Sequence, residues 1–154
     1  MKITTLCYII NKDEVLFLLR NKKTNDLNAN KYIGVGGKVE NGESCEEGII
    51  REIYEETGLT ATKVKLQGII TFILPKWEDE LCFVYTCEDY QGKIQPCDEG
   101  ELVWVKKQDI DQLTLWEGDR IFLPYLFDDN KFFVIKLVYD QNDNLVSWKE
   151  ENCR

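Results

Sequence analysis

The feature that most constrains this chain is an acidic segment that begins with paired glycines, GGKVENGESCEEGIIREIYEETGL, running from Gly36 to Leu59. It contains seven Glu, and like charges three or four positions apart on a helix repel by about 0.2–0.5 kcal/mol per pair. Ser44 followed by Glu47 fits a capping box, and Gly58 is typical of the position just after a helix end. The segment therefore predicts a glycine-rich loop, a helix with an acidic face, and a closing turn.

Three carboxylates of this helix, Glu52, Glu55 and Glu56, stand at i, i+3 and i+4 and so share one face. Ile49 and Ile53 lie on other faces, where they can pack against a sheet. One interpretation is a solvated acidic surface. The other is a site for a hard divalent cation such as Mg²⁺, which takes oxygen ligands and often pairs carboxylates with substrate phosphates. A cation would relieve the repulsion and let an acidic protein hold a phosphate.

The charge balance limits the partners of the chain. Its 154 residues carry a net charge of −9, which argues against a nucleic-acid polymer, because such binding depends on Lys and Arg neutralising phosphates. The same charge argues against an anionic membrane surface. The chain has no His, so a metal site must use oxygen or sulfur, and a general base is expected to be a carboxylate.

The apolar runs and the cysteines indicate the compartment. No run approaches the roughly 20 residues of a membrane span, and the segment MKITTLCYII is too short and too mixed for a signal peptide. The six Cys include no CxxC pair. We therefore expect a cytoplasmic protein with reduced thiols and no membrane partner.

The remaining sequence predicts one α/β domain over residues 1–154, with strands in the majority. Two further helices are predicted over Asp109–Leu113 and Trp116–Phe127, and the Asn-rich stretch Arg20–Lys31 predicts a loop. The strand candidates are Ile3–Ile10, Glu14–Leu19, Tyr32–Val35, Val64–Leu74, Leu81–Cys87, Leu102–Val105, Lys131–Tyr139 and Leu145–Trp148.

The acidic segment resembles the Nudix box, G-x5-E-x7-R-E-U-x-E-E-x-G-U, where U is apolar. Gly37, Glu43 and the run from Arg51 to Leu59 match every specified position. The resemblance implies a mixed β-sheet sandwiched between helices, an α/β/α arrangement in which the box forms a loop–helix–loop. It also implies hydrolysis of a nucleoside diphosphate linked to another moiety, with Mg²⁺ or Mn²⁺ as the cofactor.

The resemblance also assigns roles within the box. Glu52, Glu55 and Glu56 would be metal ligands, with the Gly37 carbonyl nearby. Glu52 is in addition a candidate to orient or deprotonate water, and Arg51 would orient a catalytic Glu. Which carboxylate acts as the base stays open.

Outside the box, segments such as GIITFIL and LWEGDRIFLPYLF resemble the MutT-type 8-oxo-purine nucleoside triphosphatases. That resemblance implies hydrolysis of oxidised purine nucleoside triphosphates to the monophosphate and diphosphate, which cleans the nucleotide pool. Trp116 would stack on the purine and Asp119 would bind it. Two positions depart from the pattern: Gly118 stands where the family has an acid, and Ile33 where it has a base-binding Asn.

Three further residues complete the candidate site. Glu99 matches an additional acid that the family places near the metals. Phe72 is a candidate for the base pocket or simply for the core, and Lys23 for a phosphate contact or a solvated loop. The expected partner is a small nucleotide. The protein is expected to be a monomer or a homodimer. The alternatives are another triphosphate, a dinucleotide or a nucleotide sugar as substrate, and a Nudix module that binds without catalysis.

Overall fold

The chain forms a mixed β-sheet with helices on both faces, in a computed structural model that describes residues 1–23, 25–129 and 131–151. The helices are α1 (Cys45–Thr57) and α2 (Asp119–Pro124), with a 3-10 turn over Lys107–Gln112 and a π-helical turn over Tyr125–Asp129. The strands in these ranges are β1 (Lys2–Asn11), β2 (Glu14–Leu19), β3 (Tyr32–Ile33), β4 (Val35–Lys38), β5 (Thr60–Ile73), β6 (Glu80–Gln91), β7 (Glu101–Lys106), β8 (Phe133–Tyr139) and β9 (Leu145–Glu150).

The sheet has the order β3-β2-β1-β6-β5-β8-β9, with β4 also paired to β1 and β7 to β2. The β1–β6 and β5–β8 pairs are parallel, and the other pairs are antiparallel. Strand β1 brings the glycine-rich loop onto the sheet, because Thr5 pairs with Gly37 and Leu6 with Gly36. The N-terminal strand therefore fixes the position of the acidic segment.

Apolar side chains alternate between the two faces of the sheet and form two cores. On one face, Ile49 and Ile53 of α1 are fully buried against Cys7 and Ile9 of β1. On the other face, Phe122 of α2 packs in a second core. Burying each such large side chain stabilises the fold by about 1.5–3 kcal/mol. The predicted α/β/α arrangement is confirmed. None of the helices in the described ranges is long and apolar enough to cross a membrane.

Helix α1 has both of its predicted ends. The Ser44 hydroxyl accepts a hydrogen bond from the Glu47 amide at 3.0 Å, and the Glu47 carboxylate accepts one from the Ser44 amide at 2.9 Å. At the other end, Gly58 has a φ of 81°, and its amide donates to the Tyr54 carbonyl. A left-handed residue here favours glycine, so the helix stops where the sequence predicts.

The predicted helix over Trp116–Phe127 begins later and changes form. Trp116 to Gly118 make a turn in which the Asp119 amide donates to the Trp116 carbonyl at 3.0 Å, and α2 starts only at Asp119. Pro124, which has no amide hydrogen, closes the α-helical part before the π-helical turn.

Other boundaries also differ from the prediction: β5 begins at Thr60 and not at Val64, and β6 ends at Gln91 and not at Cys87. The single strand predicted over Tyr32–Val35 divides at Gly34, where a Cβ would lie 2.6 Å from the Cys7 carbonyl oxygen. The helix predicted over Asp109–Leu113 is the 3-10 turn over Lys107–Gln112.

Candidate active site

Two sets of side chains share one cavity of about 550 Å³. The first, which we call the acidic set, comes from the glycine-rich loop, α1 and the turn before β7. The second, the aromatic set, comes from the loop before β3, from β3 and β5, and from the turn into α2 and the first residue of that helix. The acidic set contains Gly37, Glu52, Glu55, Glu56 and Glu99, and the aromatic set contains Leu27, Asn28, Ile33, Phe72, Trp116 and Asp119.

Glu56 is the most deeply buried carboxylate of the acidic set. Its Oε2 accepts a hydrogen bond from the Gly36 amide at 2.8 Å. Burial raises the pKa of Glu56 to about 9, and the negative charges of Glu52 and Glu99 act in the same direction. Without a cation, this carboxyl therefore holds a proton at neutral pH, because two nearby carboxylates disfavour a third charge.

Glu52 lies against the glycine-rich loop. A Cβ on Gly37 would lie 2.6 Å from Glu52 Oε1, so only glycine leaves the carboxylate its present position. Burial raises the pKa of Glu52, and hydrogen bonding to Arg51 partly offsets that shift.

Arg51 organises the carboxylates around the loop. Its Nε and Nη2 donate to the two oxygens of Glu43 at 2.6 and 3.0 Å, a bidentate pair that lowers the pKa of Glu43. Its Nη1 donates to Glu52 at 2.9 Å and to Glu55 at 3.1 Å. Its Nη2 also donates to the Lys38 carbonyl at 3.2 Å. Arg51 thus joins the loop to two of the predicted metal ligands.

Glu99 belongs to the acidic set through the turn before β7. Arg20 Nη1 donates to its Oε2 at 2.7 Å, and Lys23 Nζ lies 3.4 Å from its Oε1. Glu99 also lies within hydrogen-bonding reach of Glu56. Lys23 therefore lines the cavity beside the carboxylates, and its ammonium faces one of them.

The chemistry of the acidic set fits a hard divalent cation. Every side chain in it ends in oxygen, the donor type that Mg²⁺ and Mn²⁺ accept. In the part of the chain that the structure describes, no three carboxylates already stand in a ligating arrangement. Arg51 holds Glu52 and Glu55, and Arg20 holds Glu99, so a cation would have to draw these oxygens away from their present partners.

Trp116 is the centre of the aromatic set. Its indole Nε1 donates to Asn28 Oδ1 at 2.7 Å, and its ring meets Tyr139 edge-on at a centroid distance of 5.0 Å. Lys31 Nζ lies 4.6 Å from the ring centroid. The ring is 6% exposed, so Trp116 belongs both to the core and to the cavity wall.

The other predicted members of this set also line the cavity. Asp119 is buried, which raises its pKa to about 8 against the opposing charges of Arg120 and Lys31. Ile33 and Phe72 are half-buried and present apolar surface.

Several cavity residues were not singled out by the sequence, among them Arg20, Asp26, Asn28 and Tyr8. Arg20, Asp26 and Asn28 lie in or beside a polar segment with no periodicity, so only their tertiary contacts single them out. Tyr8 lies in an apolar strand and is fully buried. Its hydroxyl has no hydrogen-bond partner of good geometry among the described residues, although the Gly34 backbone is nearby. Because side chains alternate along β1, Tyr8 and Leu6 lie on the same face of the sheet. This alternation was the sequence signal that could have indicated the position of Tyr8.

Comparison with protein-family models matches the NUDIX domain to residues 2–126. The chain belongs to the Nudix family. The fold and the loop–helix–loop described above are those of a Nudix hydrolase, a class of enzyme that acts on phosphoanhydrides. Such enzymes generally use divalent metals and act on small-molecule substrates.

Individual relatives agree with this assignment. An uncharacterised Nudix hydrolase, YvcI, of Bacillus subtilis is 27% identical over 150 residues, which cover 94% of this chain and 91% of the relative. An oxidized purine nucleoside triphosphate hydrolase of Danio rerio is 28% identical over 132 residues, covering 85% and 83%. A crystal structure of a MutT protein from Bacillus halodurans superposes with a TM-score of 0.87 at 25% identity, covering 98% of both chains.

Proposed function

We propose that this Nudix hydrolase is a Mg²⁺-dependent pyrophosphohydrolase of oxidised purine nucleoside triphosphates. It would convert 8-oxo-dGTP, or a related oxidised purine, to the monophosphate and diphosphate, and so protect the nucleotide pool. The observation that carries the proposal is the shared cavity, in which Trp116 and Asp119 lie in the same space as the acidic set. Similarity to the Danio rerio hydrolase supports the choice of substrate.

The aromatic set and Lys23 would bind the substrate. The aromatic set receives the base: Trp116 and Phe72 offer apolar ring surface, Ile33 excludes water, and Asp119 offers a polar group. Because burial keeps Asp119 protonated up to a pH of about 8, it donates as well as accepts hydrogen bonds near neutrality. Lys23 contributes a positive charge on the phosphate side.

The acidic set performs the hydrolysis. Glu52, Glu55, Glu56 and Glu99, with the Gly37 carbonyl, would hold Mg²⁺ or Mn²⁺, which when bound neutralises charge on the bridging and leaving oxygens. Glu52, which Arg51 positions beside the loop in the protein without a cation, orients a water and takes its proton. The water oxygen bonds to one phosphorus of the anhydride as the bond from that phosphorus to the bridging oxygen breaks. The bridging oxygen leaves with the other phosphoryl group.

Two positions favour a second candidate, a Nudix hydrolase acting on another nucleoside diphosphate derivative. Ile33 has no hydrogen-bonding side chain. Gly118 leaves no room for an acid, because a Cβ there would lie 2.6 Å from the Tyr139 hydroxyl oxygen and from Leu137 Cδ1. Another triphosphate, a dinucleotide or a nucleotide sugar would then be the substrate.

Steady-state hydrolysis of a nucleotide panel with Mg²⁺ tests the proposal. The panel contains dGTP, 8-oxo-dGTP, 2-oxo-dATP, ATP, ADP-ribose and a diadenosine polyphosphate, compared by kcat/KM. A strong preference for an oxidised purine supports the proposal. A preference for a linked dinucleotide, or equal activity on all triphosphates, supports the second candidate and contradicts the first.

The same proposal extends to the cellular setting. We propose that residues 1–154 act as a single Nudix domain in the cytoplasm, as a monomer or homodimer, on nucleotides rather than on nucleic-acid polymers. The five cysteines within the described ranges are free thiols, which agrees with a reducing compartment.

A further inference from the structure

We propose that Asn28 is a specificity-determining residue that donates a hydrogen bond to a carbonyl oxygen of the base. The inference rests on the proposed function, because it concerns the base half of the same cavity. It adds a residue that neither the sequence pattern nor the family resemblance marks. Trp116 sets the orientation of the Asn28 carboxamide.

The side chain of Asn28 has one fixed orientation. An indole N–H can only donate, so its 2.7 Å partner on Asn28 must be the carbonyl oxygen Oδ1 and not the amide nitrogen. The usual ambiguity between the two ends of a carboxamide is therefore resolved by chemistry. Nδ2 and its two hydrogens face away from Trp116, and Asn28 lines the cavity.

Trp116 is itself held in place. Its ring packs edge-on against Tyr139 and is 6% exposed, with Lys31 over one face. A buried ring with these neighbours cannot turn its N–H elsewhere without losing packing. The orientation of Asn28 is thus set by the core and not by solvent.

The backbone around Asn28 is fixed as well. The Asn28 amide donates to Asp26 Oδ1 at 3.1 Å, and Asp26 Oδ2 accepts from Arg20 Nε at 2.7 Å. Two backbone hydrogen bonds between Arg20 and residues Asn30 and Lys31 close the base of this loop. Hydrogen bonds within the loop therefore hold the Asn28 backbone in place, as recognition of a ligand requires.

No described residue accepts a hydrogen bond from Asn28 Nδ2. Among its neighbours in the aromatic set, Leu27, Ile33 and Phe72 are apolar, and only Asp119 is ionisable. A base that enters the cavity thus meets an amide that can donate but cannot turn to accept. Such a group favours a carbonyl oxygen and disfavours an amino group at the same place, because two donors leave each other unpaired.

The predicted ligand class is therefore a purine that presents a carbonyl acceptor, such as a 6-oxo or 8-oxo purine. The test compares matched triphosphates that differ at one edge: dITP with dATP, and 8-oxo-dGTP with dGTP. The ratio of kcat/KM within each pair is measured for the wild-type protein and for N28D, N28A and W116F.

Replacing Asn28 with Asp keeps the shape and keeps an oxygen for Trp116, but the group facing the cavity then accepts instead of donating. We expect N28D to lower the preference for the carbonyl base by about tenfold or more in at least one pair, and N28A to lower it by less. W116F, which removes only the indole donor and its extra ring, should also weaken the preference, because Asn28 is then free to turn.

N30D is the matched control. Asn30 lies in the same loop, is exposed, and does not line the cavity, so this variant makes the same change of charge outside the site. Its ratios should equal those of the wild-type protein. The inference is wrong if N28D and N28A, folded by circular dichroism, keep both wild-type ratios within about twofold, or if N30D shifts the ratios as much as N28D does.

The same measurements separate this inference from the proposed function. If the wild-type protein hydrolyses no purine triphosphate, the proposed function is wrong and the Asn28 inference with it. If the wild-type protein prefers a carbonyl base and the Asn28 variants retain that preference, only the Asn28 inference is wrong. Should N28D not fold, N28A and W116F decide the question by the same ratios.

Discussion

Gly37 and Glu52 are in such close contact that a Cβ on residue 37 would lie 2.6 Å from Glu52 Oε1. The clash is with the far end of a flexible side chain, and the Gly37 backbone is not in the left-handed region. The carboxylate can therefore move aside at little cost in stability. Gly37 matters for where Glu52 points rather than for whether the chain folds.

This contact predicts that Gly37→Ala folds but loses at least about tenfold in kcat, because the displaced carboxylate no longer orients water in the same place. Thermal unfolding and steady-state hydrolysis measure the two effects separately.

Two glycines in the same loop are controls. In Gly42→Ala the new Cβ would contact no other atom, but the φ of 84° is unfavourable for a residue with a side chain. This variant should therefore lose about 1 kcal/mol of stability and keep its activity. Gly36→Ala, whose Cβ would collide with the Thr5 carbonyl oxygen, should not fold normally. Full activity in Gly37→Ala would contradict the role given to Glu52.

Turnover should require the negative charges of Glu55 and Glu56. Glu56→Gln and Glu55→Gln should each abolish turnover while leaving the fold intact, because a neutral amide keeps the shape but cannot balance a divalent cation. Without a metal, the stability of the Glu56→Gln protein should differ little from that of the wild-type protein, since the Glu56 carboxyl already holds a proton at neutral pH.

Mg²⁺-dependent thermal stabilisation gives a second measurement besides activity. The wild-type melting temperature should rise with added Mg²⁺, and that of Glu56→Gln should rise much less. Glu46→Gln, an exposed Glu in the first turn of the same helix, is the matched control and should behave as wild type. Equal stabilisation in all three proteins would show that the cation does not bind at Glu56.

The sequence predicted those parts of the site that depend on neighbours along the chain. Helix α1 has its capping box and its αL glycine where Ser44, Glu47 and Gly58 predict them, because these contacts span three or four residues. The shared face of Glu52 and Glu56 follows from helical spacing in the same way.

The unpredicted parts depend on contacts between distant segments. Arg20 meets Glu99 across 79 residues, and Trp116 meets Asn28 across 88. Nothing in the polar loop marks those residues, because a surface loop has no periodicity to interpret. The late start of α2 at Asp119 has a similar origin, because the preceding turn places Trp116 against Asn28.

Arg51 and Glu43 predict a strong energetic coupling. Both side chains are partly buried, at 22% and 17% exposure, and they share two hydrogen bonds. A double-mutant cycle with Arg51→Gln and Glu43→Gln, measured by urea unfolding in EDTA, should give a clearly larger coupling than an exposed ion pair gives. The exposed pair Lys131–Glu150, at 4.0 Å, is the reference and should give less than about 1 kcal/mol. If the two couplings were equal, Arg51 would not be a structural link between the loop and the helix.

Asp119 predicts a pH-dependent stability. Its pKa rises on folding from 3.8 to about 8, mainly by burial, so the folded protein keeps a proton that the unfolded chain releases. The corresponding stabilisation is complete below a pH of about 4, decreases as the pH rises, and is lost by a pH of about 8, with a slope of up to about 1.4 kcal/mol per pH unit. Asp119→Asn has the shape of the protonated acid but does not titrate.

The difference in unfolding free energy between Asp119→Asn and the wild-type protein should therefore grow in favour of the variant from pH 4 to pH 8, and then stay constant. Urea unfolding of both proteins in EDTA at unit steps of pH measures it. Glu56 titrates equally in both proteins, so its contribution cancels in the difference. Parallel curves over the whole range would mean that Asp119 is already ionised in the folded protein. A base in the cavity would then meet an acceptor at residue 119 and no donor, which would favour an amino group at that edge.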